Sequence, residues 1–186
     1  MNEMAHLQPQ NCALMVVDIQ ERLMPVIDGR EDVTRNSALL MKAAAVLNMP
    51  VLATTQYVAR IGELLPEIKE ELGEVVPLDK MEFDCFANQT VKEKASALSK
   101  EINTLIICGV ETHICIYQTV LGALNEGYKV WVPADAVSSR TPRNYQTGLD
   151  RIKDLGATVG NTEMIIYDLL HRAGTPEFKE LLPYLK

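Results

Sequence analysis

Short apolar runs and longer amphipathic stretches alternate along the whole chain. Ala13–Val17 is an apolar run between polar flanks, which predicts a strand buried on both faces. Asn36, Leu39, Leu40, Ala43, Ala44 and Leu47 fall on one face at helical spacing, and Pro50 ends that element. Val51–Thr55 predicts a second strand. Residues 58–80 are less regular, with a charged segment, a short helix over Pro66–Leu72 and an extended piece over Val75–Leu78. Gln89–Leu98 predicts a helix, Thr104–Cys108 a strand, Cys115–Asn125 a helix capped by Gly127, and Val130–Val132 a strand. Thr141-Pro142 opens a further helix, a hydroxyl cap followed by proline at the first position, and Gly156 stops it after Leu155. Ala157–Val159 is a last short strand, and helices over Thr162–Leu170 and Thr175–Leu182 close the pattern.

Strand and helix in alternation predict an α/β protein: a three-layer, Rossmann-like fold with a mostly parallel central sheet of about six strands. The 186 residues have the length of a single domain, 1–186, with no repeat, low-complexity tract or linker. In such sheets ligands bind beyond the carboxyl ends of the strands. The polar residues that follow strands are therefore the candidates: Asp18 and Gln20, Thr55 and Gln56, the Gly109–Cys115 turn, and Asp135 with Ser138 and Ser139.

Charge and composition act mainly by exclusion. The net charge of −7, with no Lys/Arg cluster to offset it, argues against a nucleic-acid partner. The polar start, MNEMAHLQPQN, has no signal pattern, and the longest apolar run is far too short for a membrane span. A cytoplasmic protein with no membrane partner is expected. Cys12, Cys85, Cys108 and Cys115 form no C-x-x-C pair and no zinc spacing, and the three histidines are unpaired, so no metal is expected. No G-x-G-x-x-G follows the first strand and no G-x-x-x-x-G-K-[ST] occurs, so no cofactor is expected either.

One stretch carries more chemistry than the rest. Leu105–Cys115 reads LIICGVETHIC: a strand, a tight turn and a helix with a thiol in its first turn. A helix N-terminus stabilises anions, so it can lower a thiol pKa and offer N–H groups to an oxyanion. The competing reading of Cys115 is a buried, inert cysteine. His113 is set aside as its base, because near neighbours in a tight turn rarely point at each other. Asp18, directly after Met15-Val16-Val17, reads either as a turn residue or as a base at the rim of the sheet. Lys80 reads as a surface lysine on residues alone. Phe83 and Phe86 beside it either line a pocket or anchor the loop.

Three segments taken together, Val16-Val17-Asp18-Ile19-Gln20, Lys80-Met81-Glu82-Phe83-Asp84-Cys85-Phe86 and Gly109–Cys115, resemble the isochorismatase-like cysteine hydrolase family in order and spacing. The similarity extends to Pro133–Ser139 and Thr162–Lys186, and so over essentially the whole chain. Thr55-Gln56-Tyr57 and Gly174–Lys179 are most similar to isochorismatase domain-containing proteins of unassigned substrate. The resemblance implies a triad: Cys115 as nucleophile, Asp18 as general base, and Lys80 paired with Asp18. It implies a cis peptide at Val110–Glu111, with the N–H groups of Glu111 and Cys115 as an oxyanion hole and the Glu111 side chain incidental.

Nicotinamidases of the family carry an Asp/His metal cluster in the loop after the second strand, and Thr54–Arg60 here has no histidine. Retention of Cys115 points to C–N hydrolysis. The leading expectation is a metal- and cofactor-independent hydrolase of a small amide-like substrate, with Gln20, Gln56, Tyr57, Phe83 and Phe86 lining the pocket. Isochorismatase-type vinyl-ether hydrolysis with Asp18 as acid is the alternative enzyme, and a non-catalytic assembly module the alternative of another class. The resemblance also implies a homo-oligomer, with the C-terminal helix and residues 58–72 as candidate contact surfaces.

Overall fold

A computed structural model describes residues 6–185. The first five residues of the polar start, and Lys186 at the end of the similar region, lie outside them. At the centre is β1 (Cys12–Val17), paired in parallel with β2 (Val51–Gln56) on one side and β4 (Thr104–Val110) on the other. With β3 (Leu78–Lys80), β5 (Lys129–Pro133) and β7 (Thr158–Gly160) the strand order is β3-β2-β1-β4-β5-β7, and β6 (Val137–Ser138) pairs beside the end of β4. Every pairing between these strands is parallel. The expected three-layer architecture is therefore found, with six strands in line and the short β6 as a seventh.

The two faces follow from residue parity. The short α2 (Val58–Ile61) follows β2, and Cys12, Leu14 and Val16 of β1 pack under α1 (Arg30–Val46), α3 (Pro66–Leu72), α7 (Thr162–Leu170) and α8 (Pro176–Leu181). Ala13, Met15 and Val17 pack under α4 (Gln89–Ser96), α5 (Tyr117–Asn125) and α6 (Pro142–Asp154). Both faces of β1 are covered, which is why its apolar run is unbroken. No described helix is long and apolar enough to cross a membrane.

Three differences from the sequence reading shape the site. The extended piece expected over Val75–Leu78 lies instead at Leu78–Lys80, because β3 is set by pairing with β2, where Thr54 matches Leu78 and Gln56 matches Lys80. That register carries Lys80 into the sheet. β4 continues past Cys108, because Gly109 pairs with Val17 and with Val137. Gly109 has φ +118°, and a Cβ there would lie 2.0 Å from the Val17 carbonyl oxygen, so only glycine allows this approach. The helix expected from Cys115 begins at Tyr117, and Thr112–Ile116 winds as a wide π turn before it.

Candidate active site

Asp18 leaves β1 in a left-handed conformation, φ +54°, which Asp tolerates better than most residues. This turns its carboxylate under the carboxyl edge of the sheet. Oδ2 accepts a hydrogen bond from Lys80 Nζ at 2.7 Å, and Oδ1 accepts one from Thr54 Oγ1 at 2.8 Å. Lys80 Nζ also donates to Gln56 Oε1 at 2.9 Å. The side chains of Asp18 and Lys80 are both 0% exposed. Burial pushes the Lys80 ammonium towards neutrality, but the adjacent Asp18 carboxylate, with smaller contributions from the neighbouring Cys85 and Cys115, offsets this and holds its pKa above the ordinary lysine value.

Cys115 sits in the π turn, 6% exposed, within the electrostatic reach of both charges. Burial pushes its thiol up to about 12, the Asp18 carboxylate adds to the rise, and Lys80 opposes it. The expectation of a thiol acidified by a helix start is thus reversed. The residue is not at the first turn of α5, and desolvation outweighs the nearby cation. The resting group is a neutral thiol beside a buried ion pair.

The turn itself is held from the β6–α6 side. The Val110–Glu111 peptide is cis. The Glu111 carboxylate is buried and accepts from the Arg140 backbone N–H at 2.9 Å and from Arg140 Nε at 3.1 Å. Its side chain is therefore not incidental: it ties the turn to the segment after β6. His113 Nδ1 lies 3.0 Å from Ser139 Oγ, a second tie between the same segments. On the outer side α6 presses on the turn at Gly148, where a Cβ would come within 2.8 Å of the His113 backbone nitrogen. Gly148→Ala is expected to cost about 1–3 kcal/mol by overpacking against backbone. That corresponds to a fall in Tm of roughly 3–10 °C for a chain of this size, readable by thermal unfolding. An unchanged Tm would mean that α6 can move away freely.

The residues expected to line a pocket separate into different roles. Gln20 is fully buried, and its amide is used on backbone: Oε1 accepts from the Gln56 N–H at 2.7 Å, and Nε2 donates to the carbonyls of Gln56 and Gly62. Gln56 touches Lys80 directly and donates to the Met81 carbonyl. Tyr57 and Phe83 are exposed on the segments flanking Lys80. Phe86 is buried against Tyr128, with ring centroids 5.9 Å apart, and so anchors its loop. Asp135 accepts from the N–H and hydroxyl of Thr162 and Ser138 donates to the Asp28 carbonyl, so both serve the scaffold.

Two side chains at the centre were not singled out from sequence: Thr54, which donates to Asp18, and Cys85, whose Sγ lies 3.9 Å from Thr54 Oγ1. The signal for Thr54 was available, since a strand residue of the same parity as Leu52 faces the α4–α5 side. Among the described residues, no group of three or more His, Cys, Asp or Glu is placed to hold a metal ion. A groove of about 900 Å³ along α1, floored by Met24, Leu39 and Leu65, contains none of Asp18, Lys80 or Cys115.

A buried carboxylate, ammonium and thiol thus meet at the carboxyl edge of a parallel three-layer α/β sheet, where such folds bind their ligands. The chain belongs to the isochorismatase family: the family profile described as "Isochorismatase domain" matches residues 12–164. It is 34% identical to the secreted isochorismatase effector Isc1 of Phytophthora sojae, over 98% of this chain and 88% of that one. Among solved structures it is similar to the MAR1 ribonuclease of Caenorhabditis elegans, at 31% identity and a TM-score of 0.89 over 97% of this chain and 92% of that one. The fold is also that of the Escherichia coli YcaC gene product, an octameric hydrolase of unknown specificity, at 22% identity and a TM-score of 0.90 over 99% and 92% of the two chains. The protein is thus an isochorismatase-family hydrolase.

Proposed function

We propose that the protein hydrolyses the C–N bond of a small amide-like substrate through a covalent intermediate on Cys115. The observation that carries this reading is the fully buried Asp18–Lys80 pair, 2.7 Å apart, with the Cys115 thiol within its electrostatic reach. Burial keeps this thiol protonated at neutral pH, so it needs a base in the reacting complex. Asp18 takes the thiol proton as Sγ attacks the carbonyl carbon. The N–H groups of Glu111 and Cys115 face the developing oxyanion, and Lys80 steadies the change of charge at Asp18. Collapse breaks the C–N bond, and Asp18 returns the proton to the leaving amine or ammonia. Water then attacks the thioester, Asp18 takes its proton, and the acid leaves as the thiol is re-formed. No metal or cofactor enters this scheme. A cytoplasmic, homo-oligomeric protein completes the reading, supported by four unpaired, buried cysteines and by the octameric state of the YcaC relative.

The test is ammonia release from a panel of primary amides running from formamide to benzamide. Turnover that disappears in Cys115→Ala is expected, and a panel without any turnover overturns the amide reading. Vinyl-ether hydrolysis is the second reading. It is favoured by the name of the Phytophthora relative and by a thiol that keeps its proton, which suits Cys115 as a bystander, with Asp18 taking up a proton from solvent before it serves as acid. It predicts a vinyl-ether substrate that Cys115→Ala still cleaves. The ribonuclease name of the nematode relative finds no support in this chain's net charge of −7.

A further inference from the structure

Asp18 has two oxygens, and they are held differently. Oδ2 faces the Lys80 ammonium, whereas Oδ1 is met by the Thr54 hydroxyl at 2.8 Å. An ionised carboxylate can only accept, so the single Thr54 proton is spent on Asp18. The Thr54 oxygen is then left as an acceptor, and Cys85 Sγ is 3.9 Å from it. Between a hydroxyl whose proton is committed and a thiol, only the thiol can donate.

We propose that Cys85 and Thr54 form a buried proton-ordered chain, Cys85 S–H to Thr54 O–H to Asp18 Oδ1, that positions the Asp18 carboxylate for proton exchange with Cys115. The role rests on the amide-hydrolysis reading given above, but the order of protons does not. Thr54 is fixed by the sheet: it is in register with Val17 on β1 and with Leu78 on β3. Its own carbonyl accepts from the Asp18 N–H at 3.2 Å, so backbone and side chain both bind the same residue. Cys85 is fixed from the other side. Its N–H donates to Thr119 Oγ1 at 3.1 Å, and Thr119 lies one helical turn beyond Cys115. Cys85 is wholly buried, and burial pushes its thiol up to about 11 against the nearby Thr119 and Thr54 hydroxyls, so it keeps its proton. Thr119 Oγ1 already accepts from the Cys85 N–H and its own proton faces the Phe83 carbonyl, which leaves Thr54 as the acceptor in this chain. The chain thus links the base to the helix that follows the nucleophile. Thr54 and Cys85 are positioning residues; neither has to touch substrate.

The proton order is tested by the infrared S–H stretch of the intact protein. The band assigned to Cys85 by its loss in Cys85→Ala should be displaced to the frequency of an unbonded thiol in Thr54→Val, and return in Thr54→Ser. A Cys85 band that stays in place in Thr54→Val overturns the order. The positioning role is tested with the fastest primary amide of the panel. Thr54→Val, which keeps the shape of the side chain, should lower kcat about tenfold, the worth of one hydrogen bond to a charged group, with KM unchanged and with Thr54→Ser near wild type. Wild-type kcat in Thr54→Val, in a protein that Asp18→Asn inactivates, overturns the positioning role while leaving the amide reading intact. A panel without turnover overturns both the amide reading and the role, and the infrared band still decides the order.

Discussion

Asp18→Asn is expected to remain folded and to lose amide turnover by about 10³–10⁴-fold, the upper range for removal of a general base that also serves as acid. Asparagine keeps the volume and can still accept from Lys80 or Thr54. It leaves the Lys80 ammonium buried without its counter-charge, so some stability is lost as well; breaking such a pair typically costs about 3–5 kcal/mol. Circular dichroism separates this loss from unfolding. The variant also makes a prediction of opposite sign for the thiol. In the wild type Asp18 adds to the rise of the Cys115 pKa to about 12, whereas Lys80 opposes it. Removing the carboxylate should therefore lower the thiol pKa, and the inflection in the pH dependence of Cys115 alkylation should move down. A variant that forms more thiolate and yet turns over less separates proton transfer from thiol acidity. Wild-type turnover in Asp18→Asn would remove Asp18 from the mechanism.

Cys115→Ala is expected to lose turnover by roughly 10³–10⁶-fold, as for removal of a nucleophile whose partners cannot act without it. Stability should change little, because one buried sulfur is removed next to charges that stay paired with each other, Lys80 Nζ and Asp18 Oδ2 at 2.7 Å. Thermal unfolding and ammonia release together check this. Substantial amide hydrolysis by the alanine variant would mean that water is the direct nucleophile. Retained vinyl-ether cleavage with lost amide hydrolysis would assign the protein to the second reading.

The layered fold was legible because the buried strands are short, unbroken apolar runs and the helices between them keep a 3.6-residue period. Thr162–Leu170 and Pro66–Leu72 have the bounds read from the sequence; Asn161 caps the first and Pro66 opens the second. The site was legible only in part, and the reasons are local. Lys80 looks like a loop lysine until β3 is paired with β2 at Gln56, and a fully buried lysine cannot be read from neighbours in sequence. The π turn at Thr112–Ile116 has the same apolar spacing as a helix start, so periodicity could not tell them apart. The sign of the Cys115 shift depends on burial and on Asp18, which approach it only through the fold. Glu111 was undervalued because its partner, Arg140, lies 29 residues further along the chain.

Covalent acylation of Cys115 during turnover is the step on which the proposed mechanism stands. Rapid acid quenching of the protein with its fastest amide, followed by mass mapping of the peptide that contains Cys115, tests it most directly. The acyl mass is expected on that peptide during turnover and absent from Asp18→Asn, with Cys12, Cys85 and Cys108 unmodified. Turnover at full rate with the Cys115 thiol free at every quench time, together with an active Cys115→Ala protein, would contradict it.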